Sequence, residues 1–158
     1  MKTAIHRMVE SARAGGDPTV IVRLASGWAV FGRRQFVRGY ALLLPDPVVP
    51  HLNALDAASR LQFLDDMARL GDALLVETGA LRVNYAMFGN QEPALHAHVV
   101  PRYADEPPEM RGAHPWAYDW GAAPEYDARD FASLAGAVRL RLVGQPQSQL
   151  AGEALEGV

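Results

Sequence analysis

The stretch PALHAHVVPRY, residues 93–103, carries two of the chain's five histidines, one residue apart in an apolar run. Because side chains alternate across a β-strand, His96 and His98 are predicted to share one face, with the apolar residues between them on the other. The rise of a strand separates their backbones by roughly 6.5–7 Å. Such a pair suits metal ligation, chemistry on a phosphate group, or a partly solvated polar face without function.

The periodicity of apolar residues predicts the elements around this stretch. The predicted elements are a helix ending at 15–18, strands at 19–26, 28–32, 38–45, 80–88 and 94–101, a long helix from Asp56 to Gly79, and a helix at about 127–143. Adjacent strands with tight turns and segregated helices indicate an α+β fold with about five antiparallel strands. Residues 1–143 are predicted to form one domain, and 144–158 a loosely ordered tail.

Composition excludes several classes of function. The net charge of -3 and pI near 5.9 do not favour a nucleic-acid duplex or an anionic membrane as partner. No apolar run is long enough to span a bilayer. The chain has no cysteine, which excludes disulfides, thiolate zinc sites and a cysteine nucleophile, and which fits a cytoplasmic protein.

A metal site at the paired histidines would need further ligands. The first acidic residue after His98 is Asp105, and the remaining histidines, His6, His51 and His114, each have a different local setting. His51 and His114 lie in proline-bounded loops and are predicted to face solvent. We therefore predict no tightly bound metal or cofactor, with Mg²⁺ entering only together with a nucleotide substrate.

ALHAHVVPRY resembles the signature strand of the histidine triad (HIT) family of nucleotide hydrolases and transferases, in which three histidines alternate with apolar residues and one branch ends in Leu-Pro-Arg. FVRGYALLLPDP, residues 36–47, is similar to the family's Pro-Gly-His-x-Leu-Val-x-Pro strand. The order of strands and long helix matches from about residue 19 to 103. Within the family, the resemblance is greatest to the Fhit or diadenosine polyphosphate hydrolase-like branch, and it implies a homodimer whose sheets join edge to edge.

The resemblance also implies a reaction. His96 maps onto the nucleophile, which attacks the α-phosphorus of a nucleoside phosphate ester, an anhydride such as a dinucleoside polyphosphate, or a phosphoramidate. His98 maps onto the histidine that contacts the phosphate. A covalent phosphohistidine forms, and water then releases the mononucleotide. The His96 ring needs its second nitrogen held by an acceptor, for which a backbone carbonyl is the best candidate.

Further substrate-binding candidates surround this strand. Asn90 and Gln91, in the turn before it, are candidate amide donors, although Gly-Asn is also ordinary hairpin chemistry. Asn84, on the neighbouring predicted strand, is a candidate for the same pocket. Arg102 either binds a distal phosphate or forms a surface ion pair. The three tryptophans are expected in the core or at an interface rather than under a base.

The sequence departs from the family pattern at four points, which reduces the number of residues that the resemblance implies for nucleotide recognition. Ala94 replaces the first triad histidine, Tyr40 replaces the histidine of the Gly-His strand, and Gly32 falls where an Asn or Asp grips the ribose. The loop GNQEP, residues 89–93, is also short. Two alternatives to a hydrolase therefore stay open: a catalytically weakened nucleotide-binding protein, and a metal-dependent enzyme using the His-x-His pair.

Overall fold

The computed structural model describes residues 2–144 and confirms an α+β fold with one five-stranded antiparallel sheet. The strands are β1 Val20–Arg23, β2 Gly27–Phe31, β3 Ala41–Pro45, β4 Arg82–Ala86 and β5 Ala97–Arg102. The helices are α1 Ala4–Arg13, α2 Ala57–Thr78, α3 Pro108–Arg111 and α4 Ala128–Gly144, with single 3₁₀ turns at Leu52–Ala54 and Pro115–Ala117. No helix in this part of the chain is long and apolar enough to cross a membrane. Apart from Gly144, the predicted tail lies outside the described residues.

Strand β5 lies inside the sheet, whose order is β1-β2-β3-β5-β4. It is antiparallel to both neighbours, and His98 lies opposite Leu42 of β3 and Ala86 of β4. The strand predicted at 94–101 begins later, at Ala97, so His96 precedes it. There the chain leaves β3, and the backbone N–H of Leu95 instead donates to the carbonyl of Val49, at 2.8 Å.

The two faces of the sheet differ in what covers them. Leu95, Ala97 and Val99 belong to the core cluster beneath α2 and α4, whereas Ala94 and Val100 belong to a second cluster with α1. The predicted alternation through the histidine stretch is therefore confirmed. It places both imidazoles on the face opposite the long helix.

Helix α2 begins and ends where the sequence predicts. The Asp56 carboxylate accepts a hydrogen bond from the backbone N–H of Ser59, at 2.8 Å, as an N-cap residue does. Gly79 ends the helix with a φ of 68°, in the left-handed region that glycine adopts without strain. A long rigid helix thus supports the strand that carries His98.

The segment from 104 to 126, which has no periodicity in sequence, folds over the histidine face. Arg102 and Glu106 form a buried ion pair at 2.8 Å, and the Tyr118 hydroxyl donates to the same carboxylate, at 2.7 Å. Trp120 stacks on Phe36 with ring centroids 4.0 Å apart. These contacts bring Trp120 into the partly buried periphery of the second core cluster.

Candidate functional site

His96 is buried, 7% exposed, and its Nδ1 lies 2.8 Å from the carbonyl oxygen of Ala94. A carbonyl oxygen accepts and cannot donate, so the proton of the neutral ring sits on Nδ1. The lone pair is then on Nε2, the nitrogen that can attack. A backbone carbonyl thus fixes the tautomer, as expected from sequence.

Glu92 supports this carbonyl from the preceding turn. Its carboxylate accepts from the backbone N–H of Ala94, at 3.3 Å, and from that of Ala4, at 2.9 Å, which ties the turn to the start of α1. Burial raises the pKa of Glu92, but these hydrogen bonds, another from Thr3 and attraction to His96 when that ring is protonated together hold it below its ordinary value. Sequence reasoning missed Glu92 because two of its partners, Thr3 and Ala4, lie at the start of α1, far from it in sequence.

His98 is 9% exposed, and its Nδ1 lies 2.7 Å from the hydroxyl oxygen of Tyr40. Within residues 2–144 this is that hydroxyl's one hydrogen bond, so we assign the phenol as donor and place the proton of His98 on Nε2. Burial, and repulsion from His96 when both rings are protonated, lower the pKa of His98 to about 4, which keeps the ring neutral at neutral pH. Burial also raises the pKa of Tyr40, so its hydroxyl keeps its proton.

The two imidazoles are close enough to act on one group. Their ring centroids lie 4.8 Å apart, with the ring planes at 70°. His96 offers a nitrogen lone pair and His98 an N–H donor. A nucleophile beside a donor is the arrangement needed to attack a phosphorus atom while a phosphoryl oxygen is hydrogen-bonded.

Tyr40 and Gly32, which both differ from the family pattern, are in direct contact and depend on each other sterically. A Cβ added at Gly32 would lie 2.2 Å from both Cδ1 and Cε1 of Tyr40, so the phenol ring fills the space that a side chain there would need. The amide of Gln35 fixes the backbone of Tyr40 by donating to its carbonyl, at 2.9 Å. The position implied for ribose binding is therefore occupied by an aromatic ring of the protein.

Arg102 is buried in a structural network. Its guanidinium donates to Glu106 through two nitrogens, to the Asn84 side chain at 2.8 Å, and to the carbonyls of Met110 and Ala113 at 2.6 and 3.0 Å. These acceptors use all five of its N–H groups, which leaves none for a phosphate. The ion pair is also not the surface pair considered from sequence, since both side chains are buried.

Asn90 and Gln91 are exposed in the loop before β5 and line none of the cavities found around the histidines. Asn84 shares the histidine face of the sheet, but it lines the larger groove along β4 rather than the cavity beside His96. Of the predicted site residues, the structure brings His96 and His98 together and holds Asn84 with Arg102 at a distance from them.

A cavity of about 300 Å³ opens beside His96. It lies between the turn after β3, the end of β4 and the residues before β5. Its lining residues are Pro50, His51, Leu52, Asn53, Met87, Phe88, Gly89, Ala94, Leu95 and His96. His51 is exposed, as predicted, yet it shares this cavity with His96. No local sequence pattern indicates this proximity.

A larger groove of about 1180 Å³ runs along β4, and Phe88 and Trp116 stand between it and His98. Their rings lie 4.7 Å apart at 90°, and the Trp116 ring centroid lies 5.0 Å from that of His98. Phe88 is 50% and Trp116 41% exposed. Of the two settings expected for the tryptophans, the core is therefore excluded for Trp116, and the two rings present apolar surface next to the histidines.

In the described part of the chain, no three or more His, Cys, Asp or Glu side chains are grouped so that they could hold a metal ion. Both histidines engage Nδ1 within the protein, which leaves one free ring nitrogen each. Two nitrogens are fewer than the three protein ligands of a catalytic zinc site.

No family model and no curated protein matches the sequence. Solved structures do match. A histidine triad protein from Bradyrhizobium japonicum aligns over 83% of this chain and 95% of its own, with 22% identity and a TM-score of 0.70. A hypothetical histidine triad nucleotide-binding protein from Sulfolobus tokodaii aligns over 87% and 92%, with 11% identity and a TM-score of 0.68. The C. elegans NitFhit protein aligns over 78% and 27%, with 16% identity and a TM-score of 0.59. The chain therefore has the histidine triad fold, and the Fhit-like branch is not singled out.

Proposed function

We propose that this chain is a histidine-dependent hydrolase or transferase that acts at the α-phosphate of a nucleotide. The observation that carries the proposal is the buried His96, whose Nδ1 is held by the Ala94 carbonyl beside a neutral His98. The two rings combine a nucleophile with a fixed tautomer and a hydrogen-bond donor, which is the minimum that covalent phosphate chemistry requires.

The reaction proceeds in two steps. The lone pair on Nε2 of His96 attacks phosphorus, and the bond from phosphorus to the leaving oxygen or nitrogen breaks. The leaving group takes up a proton as it departs, and the water consumed in the second step replaces that proton. The N–H of His98 donates to a phosphoryl oxygen as negative charge builds there. Water then attacks the phosphohistidine, which frees His96 and releases the mononucleotide.

The substrate is a nucleoside phosphate ester, an anhydride such as a dinucleoside polyphosphate, or a phosphoramidate. The Sulfolobus neighbour is described as nucleotide-binding, which supports a nucleotide for this chain as well. The exposed rings of Phe88 and Trp116 next to His98 suit stacking of a base. Asn90 and Gln91 remain candidate donors at the edge of the site, and we assign Asn84 and Arg102 to the network that holds residues 104–118.

The pattern of departures favours an enzyme over a binding protein. A nucleotide-binding protein without turnover would retain the residues that bind the sugar and would tolerate replacement of the nucleophile. Here the nucleophile keeps its oriented ring, whereas Tyr40 fills the space beside Gly32. The residues retained are those that carry chemistry, and the residues changed are those implied to recognise the nucleoside.

We also propose a homodimer that forms through the β4 edge. Strand β4 pairs with β5 on one side and with no strand of residues 2–144 on the other. An open strand edge invites pairing, and a second copy of the same edge is one way to protect it. The exposed Leu81, directly before β4, adds apolar area at this edge.

The test is turnover of a panel of dinucleoside polyphosphates, nucleotide esters and nucleoside phosphoramidates by the parent and by His96→Ala. We expect His96→Ala to abolish turnover, and His98→Ala to slow it on the order of 10²–10³-fold. A radioactive nucleotide should leave an acid-labile label on His96. The matched control is His114→Ala, which removes an exposed histidine that lines the larger groove and not the cavity beside His96.

Three results would count against the proposal. Parental activity in His96→Ala would exclude the covalent mechanism. Nucleotide binding without any turnover by the parent would favour the binding protein. Activity that a chelator removes and Zn²⁺ restores would favour the metal-dependent enzyme.

A further inference from the structure

The cavity beside His96 contains one titratable side chain other than the nucleophile. The walls contributed by Leu52, Met87 and Phe88 are apolar, and Asn53 does not titrate. His51 is the remaining lining residue whose side chain can donate and accept a proton. Apart from His96, no side chain of this cavity takes part in phosphoryl or proton transfer in the proposed reaction, so the chemistry of the cavity remains to be assigned.

The proposed reaction needs a proton that the two paired histidines do not supply. The Nδ1 proton of His96 is bound to the Ala94 carbonyl, and the Nε2 proton of His98 is used on the phosphoryl oxygen. Burial lowers the pKa of His98 to about 4, so this ring holds no second proton near pH 7. An alkoxide or amide ion is a poor leaving group, and departs readily only if an acid protonates it in the transition state.

Position 94 does not provide this acid, because an alanine side chain neither donates nor accepts protons. It lines the cavity together with His51 and His96. The leaving group in an in-line displacement departs on the side opposite the attacking nitrogen, so it must enter space close to His96 but not occupied by it. The cavity that lies next to His96 offers that space.

Resting on the function proposed above, we propose that this cavity binds the leaving group and that His51 is the acid that protonates it. As Nε2 of His96 bonds to phosphorus, the bond to the leaving oxygen or nitrogen breaks, and a proton from His51 goes to that atom. Neutral His51 then regains a proton from solvent. The water that attacks the phosphohistidine leaves its oxygen and one proton on the mononucleotide and releases its other proton to solvent, which restores the starting state.

The size of the cavity limits the leaving group. About 300 Å³ is at the lower end of ligand pockets, which run from about 300 to 1,000 Å³. A small, partly apolar alcohol or amine matches this volume and its walls. A second nucleoside with its phosphates does not. The substrate class we infer is therefore a nucleotide ester or phosphoramidate of a small alcohol or amine, rather than a dinucleoside polyphosphate.

The backbone of His51 is held in place by its neighbours, whereas its side chain does not cap the 3₁₀ turn that follows. The turn is fixed on one side by the hydrogen bond from Leu95 to the Val49 carbonyl, and on the other by the bond from Ala54 to the His51 carbonyl, at 3.0 Å. Leu52 packs against the main core cluster. The His51 side chain itself makes no capping hydrogen bond to the 3₁₀ turn that follows it. A backbone held in this way keeps the imidazole at the cavity.

The experiment compares leaving groups in the full chain. Two esters of the same nucleoside monophosphate are used, one with nitrophenol, which leaves without a proton, and one with a simple alkyl alcohol, which needs one. Each is assayed with the parent, His51→Ala, His51→Gln and the control His114→Ala. We expect both His51 variants to slow the alkyl ester about 10²–10⁴-fold, as loss of a general acid does. The nitrophenyl ester should be cleaved at nearly the parental rate by every variant.

Other outcomes separate this inference from the function it rests on. If His96→Ala abolishes cleavage while both His51 variants cleave the alkyl ester at the parental rate, His51 is not the acid. Equal slowing of the two esters by His51→Ala would also overturn the role, since it would indicate a damaged site rather than a missing proton. If the parent cleaves neither ester nor any other nucleotide of the panel, the proposed function itself fails. Faster cleavage of dinucleoside polyphosphates than of either ester would overturn the small leaving group.

Discussion

The buried, neutral His98 makes the stability of the fold depend on pH. An unfolded histidine has a pKa of about 6.5, and that of His98 in the fold is about 4. As the pH falls, the unfolded chain takes up a proton at this residue first, so the free energy of unfolding decreases between about pH 6.5 and pH 4. The pKa difference of about 2.5 corresponds to about 3 kcal/mol, of which about 2 kcal/mol is lost by pH 5.

Urea unfolding at pH 7.5 and pH 5.0 measures this loss in the parent and in His98→Asn. Asparagine leaves a hydrogen-bond acceptor within reach of Tyr40 and does not titrate. We expect the variant to lose about 2 kcal/mol less than the parent over this interval. Comparing the two chains cancels the contributions of every other titrating group that they share.

Tyr40→Phe is the matched control. It removes the 2.7 Å hydrogen bond to His98 but keeps the ring that buries it, and burial is the main cause of the lowered pKa. This variant should be less stable at both pH values yet show nearly the pH dependence of the parent. The reasoning would be refuted if His98→Asn lost as much stability as the parent between pH 7.5 and 5.0, since His98 would then not be held neutral.

Three further predictions concern contacts outside the histidine pair. Gly32→Ala should destabilise the fold by about 1–3 kcal/mol because its methyl group meets the ring of Tyr40. The same substitution should destabilise a Tyr40→Ala chain much less. Equal losses of unfolding free energy in the two chains, measured with urea, would disprove the contact between positions 32 and 40. Glu106→Ala should cost about 3–5 kcal/mol because it leaves the Arg102 charge buried without its partner, and a loss under 1 kcal/mol would contradict this network. Light scattering should report a dimer that Leu81→Lys weakens, whereas a parental monomer at every concentration would remove the β4 interface.

The local sequence pattern was sufficient to predict the order and type of the main helices and strands. Apolar periodicity and the cap at Asp56 depend on neighbours in sequence, so the long helix was predicted with its ends. The start of β5 was wrong by three residues because a strand begins where a partner strand begins to pair. Val49, which lies beyond the end of β3, takes the N–H of Leu95, and only the tertiary fold determines that contact.

The candidate site divides in the same way. Alternation along a strand is local, so His96 and His98 were placed correctly on one face from their spacing alone. Arg102 was misjudged because its partners Glu106, Met110 and Ala113 lie in a segment whose fold has no periodic signal. The proximity of the 50–53 turn to His96 was missed because it arises from packing between elements far apart in sequence.

At position 94, where the triad motif has its first histidine, the orientation of His96 depends on the backbone and not on the side chain. The group that orients His96 is the carbonyl of Ala94, and any residue there supplies one. Glu92 holds the same residue through its backbone N–H, again without regard to the side chain. An alanine at this position therefore leaves the His96 ring oriented, and its small side chain lines the cavity beside that ring. Under the function proposed above, Ala94 and the Tyr40 ring against Gly32 would change which substrate fits, while Nε2 of His96 would keep its place for attack. Under the proposed function, altered substrate specificity therefore explains these differences from the triad motif more simply than loss of activity does.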